Sequence, residues 1–339
     1  MQAITDMEEA PDIAAMRIAA TRIDPLYLDT PLVSSATLDA ALGCAVLAKI
    51  ETDNPIGSFK GRGSEWFVAT ALRSREAVVC ASAGNFGQGL ARACTRRGHS
   101  CTVFVAQGAN PLKVDALRGF GAEVRVAGDD FDAAKEAARR HAATFGLRFV
   151  EDGRERELAE GAGTLGLELA RGHVFDALTV PLGNGALLAG VGCALRALAP
   201  TVEIVAVVAR NAPAMQHSLD AGRVLETPHA DTIADGIAVR VPIRRTLALL
   251  RRCCDHVVAV SEQHLFDAMV LLHRHLGRVV EPAGAAGVAA VLAEPWRYAG
   301  RRVATIVSGA NITPSLRARL LESRACDAAT LLPLTGNDR

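Results

Sequence analysis

The sequence predicts an α/β protein of largely parallel sheets, with helices on both faces and two lobes flanking a cleft. Three observations lead there. Short β-branched or apolar runs alternate with longer Ala/Leu/Arg-rich amphipathic stretches, the pattern of successive strand–helix units. Half of the 339 residues are apolar, enough to bury one large core or two smaller ones. Residues 64–155 read as a self-contained run of such units, and the segments on either side can together supply a second sheet. Sites in such folds lie in the crevice beyond the carboxyl ends of the strands.

The expected strands are Ala45–Glu51, Ala77–Ala81, Cys101–Ala106, Glu123–Val126, Arg148–Val150, Asp176–Pro181, Glu203–Val208, His256–Val260 and Arg302–Val307. Helical periodicity covers Asn85–Arg97, Pro111–Phe120, Phe131–Thr144 and Glu262–Leu276. The expected division is a discontinuous large lobe (15–63 and 156–325), a small mobile lobe (64–155) and a C-terminal tail (326–339).

Composition removes several function classes. Lys+Arg and Asp+Glu both total 37, and no basic tract points to nucleic acid or an anionic membrane as partner. Apolar runs break before the length of a bilayer span. The first 17 residues carry four acids before their first base, unlike a leader peptide, so a cytoplasmic location is expected. Eight cysteines show no CxxC spacing and read as buried reduced thiols. His264, His273 and His275 have no Cys or acid placed to complete a ligand set, and no metal site is expected. Only four of the 37 basic residues are lysines, Lys49, Lys60, Lys113 and Lys135. A lysine in so arginine-rich a chain suggests an amine that must lose its proton, which a guanidinium cannot do. Chance retention is the expected account of two or three of the four.

Four motifs carry chemistry. In Asp53-Asn54-Pro55-Ile56-Gly57-Ser58-Phe59-Lys60-Gly61, a tight loop delivers Lys60 to the start of a helix. An amine there, among apolar groups, suits a Schiff-base lysine, although a solvated loop lysine is the plainer alternative. Ser82-Ala83-Gly84-Asn85-Phe86-Gly87 and Gly183-Asn184-Gly185-Ala186-Leu187 each join a strand to a helix and offer backbone N–H groups to an anion. Each also fits an ordinary strand–turn–helix; the second lacks both the GxGxxG spacing and the P-loop ending. Glu281-Pro282-Ala283-Gly284 and Ser308-Gly309-Ala310-Asn311 are each expected to follow a strand, with helix caps as the alternative.

In this order the motifs resemble the fold-type II pyridoxal-phosphate enzymes (tryptophan synthase β-like), most closely their threonine/serine dehydratase branch. The resemblance runs from about Thr30 to Arg324. It implies pyridoxal 5'-phosphate in the cleft between the lobes, joined to Lys60 as a Schiff base, with Phe59 beside the ring and Asn85 on its phenolic oxygen. Gly183, Asn184, Gly185, Ala186 and Leu187 would cradle the phosphate, and Ser308 would face the ring nitrogen. Ser82, Ala83, Gly84, Asn85 and Phe86 would hold the substrate carboxylate, with Glu281 and Gly236 near the reacting centre. The implied reaction removes the β-hydroxyl of a small hydroxy-amino acid (threonine, serine or a 3-hydroxy relative) as a lyase, giving a 2-oxo acid and ammonia. A homodimer is implied as well.

Departures sharpen this. Ala83 stands where related serine racemases have a serine, which disfavours racemisation. No acid follows the strand ending near Val208, where the racemase-type cation site would be. Phe86 replaces a histidine, and Asn184 interrupts a glycine run. A β-replacement enzyme of the same fold fits these residues too, and a non-catalytic ligand-binding homologue remains a different class of answer.

Overall fold

Strands and helices alternate through the molecule, and the strands sort into two sheets. The structure is a computed structural model describing residues 10–172 and 174–323; the tail expected at 326–339 lies outside the described residues. The strands are β1 (Leu32–Val33), β2 (Ala45–Ile50), β3 (Val78–Ala81), β4 (Cys101–Val105), β5 (Glu123–Val126), β6 (Arg148–Phe149), β7 (Ala177–Pro181), β8 (Glu203–Ala209), β9 (His256–Val260) and β10 (Arg302–Val307). One sheet has the order β1-β2-β10-β7-β8-β9 and the other β5-β4-β3-β6. Every pairing is parallel except β1 with β2. All nine expected strands are present to within a residue or so at each end. The short antiparallel β1 was not expected: two residues are too few to show a period.

Helices cover both faces of each sheet, which is why the central strands are continuously apolar. In β8 every residue from Ile204 to Ala209 is buried. The helices used below are α1 (Lys60–Ala71), α2 (Asn85–Arg96), α3 (Phe131–Phe145), α4 (Arg156–Leu169), α5 (Ala186–Leu198), α6 (Glu262–Leu276) and α7 (Pro282–Ala293). One face of the large sheet packs on α6 and α7 through Leu265, Met269, Ala286 and Val288. Its other face packs on α4 and α5 through Leu165, Leu169, Leu188 and Val191. In the small sheet, Leu90 of α2 fills one face and Ala138 of α3 the other.

The chain leaves the large sheet after β2, builds the small sheet, and returns. β10 then inserts beside β2, with Val307 opposite Ile50. The loops leaving these two strands are sewn together: Phe59 N and Ser58 Oγ both donate to Ser308 O at 3.1 Å, and Ala310 N to Gly57 O at 2.9 Å. This stitching places Lys60 near Ser308.

Beneath Lys60 lies a closed charge cluster. Arg62, fully buried, donates to both oxygens of Glu51 (2.7 and 2.8 Å) and to Glu168 (2.6 Å). Lys49 pairs with Glu168 at 2.6 Å and donates to Thr30 O. The opposed carboxylates hold the guanidinium charged despite burial. The cluster pins the first turn of α1 to the sheet.

Candidate active site

All fifteen site residues expected from the sequence line one cleft of about 650 Å³ at the carboxyl ends of both sheets. They come from both sheets: Ser82–Phe86 follow β3, Gly183–Leu187 follow β7 and Ser308 follows β10.

Lys60 is the first residue of α1, and its amine enters the cleft 4.8 Å from the centre of the Phe59 ring. The amine is held by Asp152, with Nζ 2.7 and 2.6 Å from the two carboxylate oxygens.

Two sets of backbone N–H groups face the same space. Those of Gly183, Asn184, Gly185, Ala186 and Leu187 donate to no other described residue, and neither do those of Ser82 through Gly87. Each set opens a long helix, α5 or α2, so unpaired donors and the positive end of a helix dipole coincide. Gly185 has φ 100°, which orients the α5 donors and which L side chains rarely adopt. A Cβ on Gly84 would meet nothing nearer than Ser82 Oγ at 4.0 Å, so the second cradle opens onto free space. Two dianion- or carboxylate-sized sites thus flank one amine.

Ser308 is buried and its hydroxyl donates to Ala283 O at 3.4 Å. Asn85 donates to Glu281 Oε1 at 2.7 Å and accepts from Asn311, which also donates to Ile56 O. Burial, reinforced by the negative charge of Asp235, pushes the Glu281 carboxyl up to about 7; the Asn85 hydrogen bond and Lys113 oppose this.

These features fit a phosphate-bearing aldehyde held by an amine: five orphan donors for the phosphate, a lysine to condense, and a neutral hydroxyl at the far end. The sequence profile of the pyridoxal-phosphate dependent enzymes matches residues 23–309 of this chain. The chain belongs to that family.

Similarity to individual pyridoxal-phosphate enzymes extends over most of the chain. It is 36% identical to an L-threonine ammonia-lyase of Thermotoga maritima over 295 residues, 86% of this chain and 73% of that protein. Among solved structures, a threonine deaminase from T.th. shares 34% identity with a TM-score of 0.84, covering 89% of this chain and 99% of that one. A maize serine racemase shares 28% with a TM-score of 0.85, covering 92% and 97%.

One reading from the sequence of this pyridoxal-phosphate enzyme needs correction. Glu281 does not follow a strand: it follows α6 and an unpaired loop, and occupies the N-cap position of α7. The loop's apolar Val280 is buried without a strand partner, so burial alone explains the pattern. Lys60, Lys113 and Lys135 all line the cleft, and Lys49 is buried in the charge cluster. Asp152 was missed, as were the long-range ion pairs of Lys113 with Asp235 and Asp132 with Arg240. An acid–glycine pair just after a short strand was the available signal for Asp152; its proximity to Lys60 was not legible. Among the described residues no group of three or more His, Cys, Asp or Glu is placed to hold a metal ion. No helix there is long and apolar enough to cross a membrane.

Proposed function

We propose that this chain is an ammonia-lyase that eliminates the β-hydroxyl of threonine, serine or a 3-hydroxy relative, giving a 2-oxo acid and ammonia. The supporting observation is the convergence of one lysine amine and two sets of unpaired backbone N–H groups on a single cleft. The similarity to a protein named L-threonine ammonia-lyase supports the same reading.

Bound pyridoxal phosphate supplies an electron sink for the substrate's α-carbon. Residues 183–187 hold its phosphate at the start of α5, and Ser82, Ala83, Gly84, Asn85 and Phe86 hold the substrate carboxylate at the start of α2. Lys60 would anchor the cofactor through Nζ, and the same nitrogen, as a free amine, would be the base that holds the α-proton. Phe59 would border the ring, and Asn85, which here donates to Glu281 and accepts from Asn311, would supply an amide to its phenolic oxygen. Ser308 offers the ring nitrogen a hydroxyl rather than a carboxylate, which does not hold that nitrogen protonated. Elimination of a β-leaving group is then favoured over prolonged carbanion chemistry. Ala83 has no proton to move, so it cannot act as an acid at the α-carbon, and racemisation is disfavoured. Glu281 and the Gly236 backbone border the reacting centre.

The reading includes a small lobe (64–155) that moves against the large one (15–63 and 156–325), a homodimer, a cytoplasmic location and no nucleic-acid partner. Its test is a panel of hydroxy-amino acids followed by 2-oxo-acid and ammonia detection, with and without an added thiol. Wild type should release both products and form no new amino acid. Lys60→Ala should lose the visible cofactor absorption and all turnover; a variant that keeps both refutes the assignment.

A further inference from the structure

Asp152 touches the reactive amine, yet the function above leaves it without a role. Its carboxylate meets Lys60 Nζ through both oxygens, and its side chain is only 20% exposed. The backbone gives it little room to withdraw. Val150 N donates to Val79 O at 2.8 Å, and Arg154 N closes a turn on Glu151 O at 3.1 Å. Gly153 takes φ 84°, and a Cβ there would stand 2.5 Å from Asn184 O. The Asp152 turn is therefore seated directly on the loop assigned to the phosphate.

The nitrogen that Asp152 holds must also reach the substrate's α-hydrogen. Two successive contacts of hydrogen-bond length put the carboxylate within roughly 6 Å of the substrate's reacting carbons. The other lysines and the arginine lining the cleft are already matched: Lys135 by Glu151, Arg240 by Asp132 and Lys113 by Asp235; His229 lines it too, on the Pro228–Asp231 stretch. None of these three is spare to neutralise an anionic substituent.

We propose that Asp152 reads the charge of the substrate's β-substituent. It accepts a hydrogen bond from a hydroxyl or ammonium there and repels a carboxylate or phosphate. The substrate class is then a 2-amino acid whose β-substituent is a neutral or cationic hydrogen-bond donor; 3-hydroxyaspartate and O-phospho esters are rejected. This rests on the elimination reading above and narrows it.

The test uses holoenzyme and three amino acids that cannot turn over because they lack an α-hydrogen: α-methylserine, α-methyl-2,3-diaminopropionate and α-methylaspartate. Binding is followed by the change in visible cofactor absorption. The first two should bind at least about tenfold more tightly than the third, the scale of one like-charge contact near a partly screened site. In Asp152→Asn the gap should close to within about threefold, through tighter binding of α-methylaspartate. Equal affinities in the wild type, or an unchanged gap in a variant that still shows bound cofactor, overturn the proposal. Should that variant not load cofactor, Asp152→Ser is measured in the same way, and an unchanged gap there overturns the proposal. Oxo-acid formation from threonine and serine separates the two ideas. Charge-blind binding with oxo acid formed sinks only this proposal; charge-selective binding with no oxo acid sinks only the elimination reading.

Discussion

Glu281 should make the apoprotein less stable as pH rises from 5 to 8, and Glu281→Gln should abolish that loss. The carboxyl is buried beside Asp235 and pushed from 4.5 up to about 7. Its folded value thus exceeds its unfolded one, so between these values the native state binds more protons than the unfolded state. Stability must fall with pH across that window and level off above it. A rise from 4.5 to about 7 corresponds to about 3 kcal/mol. Glutamine keeps an oxygen for the Asn85 hydrogen bond and has no proton to lose. At pH 5 the variant and wild type should unfold at similar denaturant concentrations; at pH 8 the variant should be more stable by about 3 kcal/mol. Urea unfolding of the apoproteins at four or five pH values provides the measurement. Parallel stability curves for the two proteins would show that burial and Asp235 do not perturb this carboxyl, and would refute the reasoning.

Two other substitutions probe the framework and the chemistry. Arg62→Leu leaves Glu51 without its fully buried partner, and should cost about 3–5 kcal/mol in urea unfolding, partly restored by adding Glu51→Gln; a cost under about 1 kcal/mol would mean that the cluster does not pin α1. Ala83→Ser places a hydroxyl in the cleft where the wild type has none, and should raise α-hydrogen exchange of D-serine in deuterated water by about tenfold or more, read by mass spectrometry.

Much of the fold was legible in the one-dimensional pattern because parallel strands buried on both faces must be apolar throughout. The run Glu203–Val208 could be read for that reason, whereas Leu32–Val33 could not: two residues carry no period. The glycine-rich turns at 82–87 and 183–187 were visible for a related reason. Each sits between a strand and a helix, and local backbone geometry suffices to leave its N–H groups unpaired. Glu281 shows the limit: its motif was expected to follow a strand, whereas the buried Val280 before it belongs to none.

Residue types, their order and their local turns therefore set out the elements, the lysine at the start of α1 and the two loops of unpaired N–H groups. The tertiary structure alone decided which charges meet. Asp152 lies 92 residues from Lys60, Asn85 lies 196 from Glu281, and Ser58 lies 250 from the Ser308 carbonyl that it contacts. Such pairings depend on strand order in the sheets, here on β10 inserting beside β2. That order is a property of the packed whole, because hydrogen bonding and burial between distant segments have no signature in local sequence.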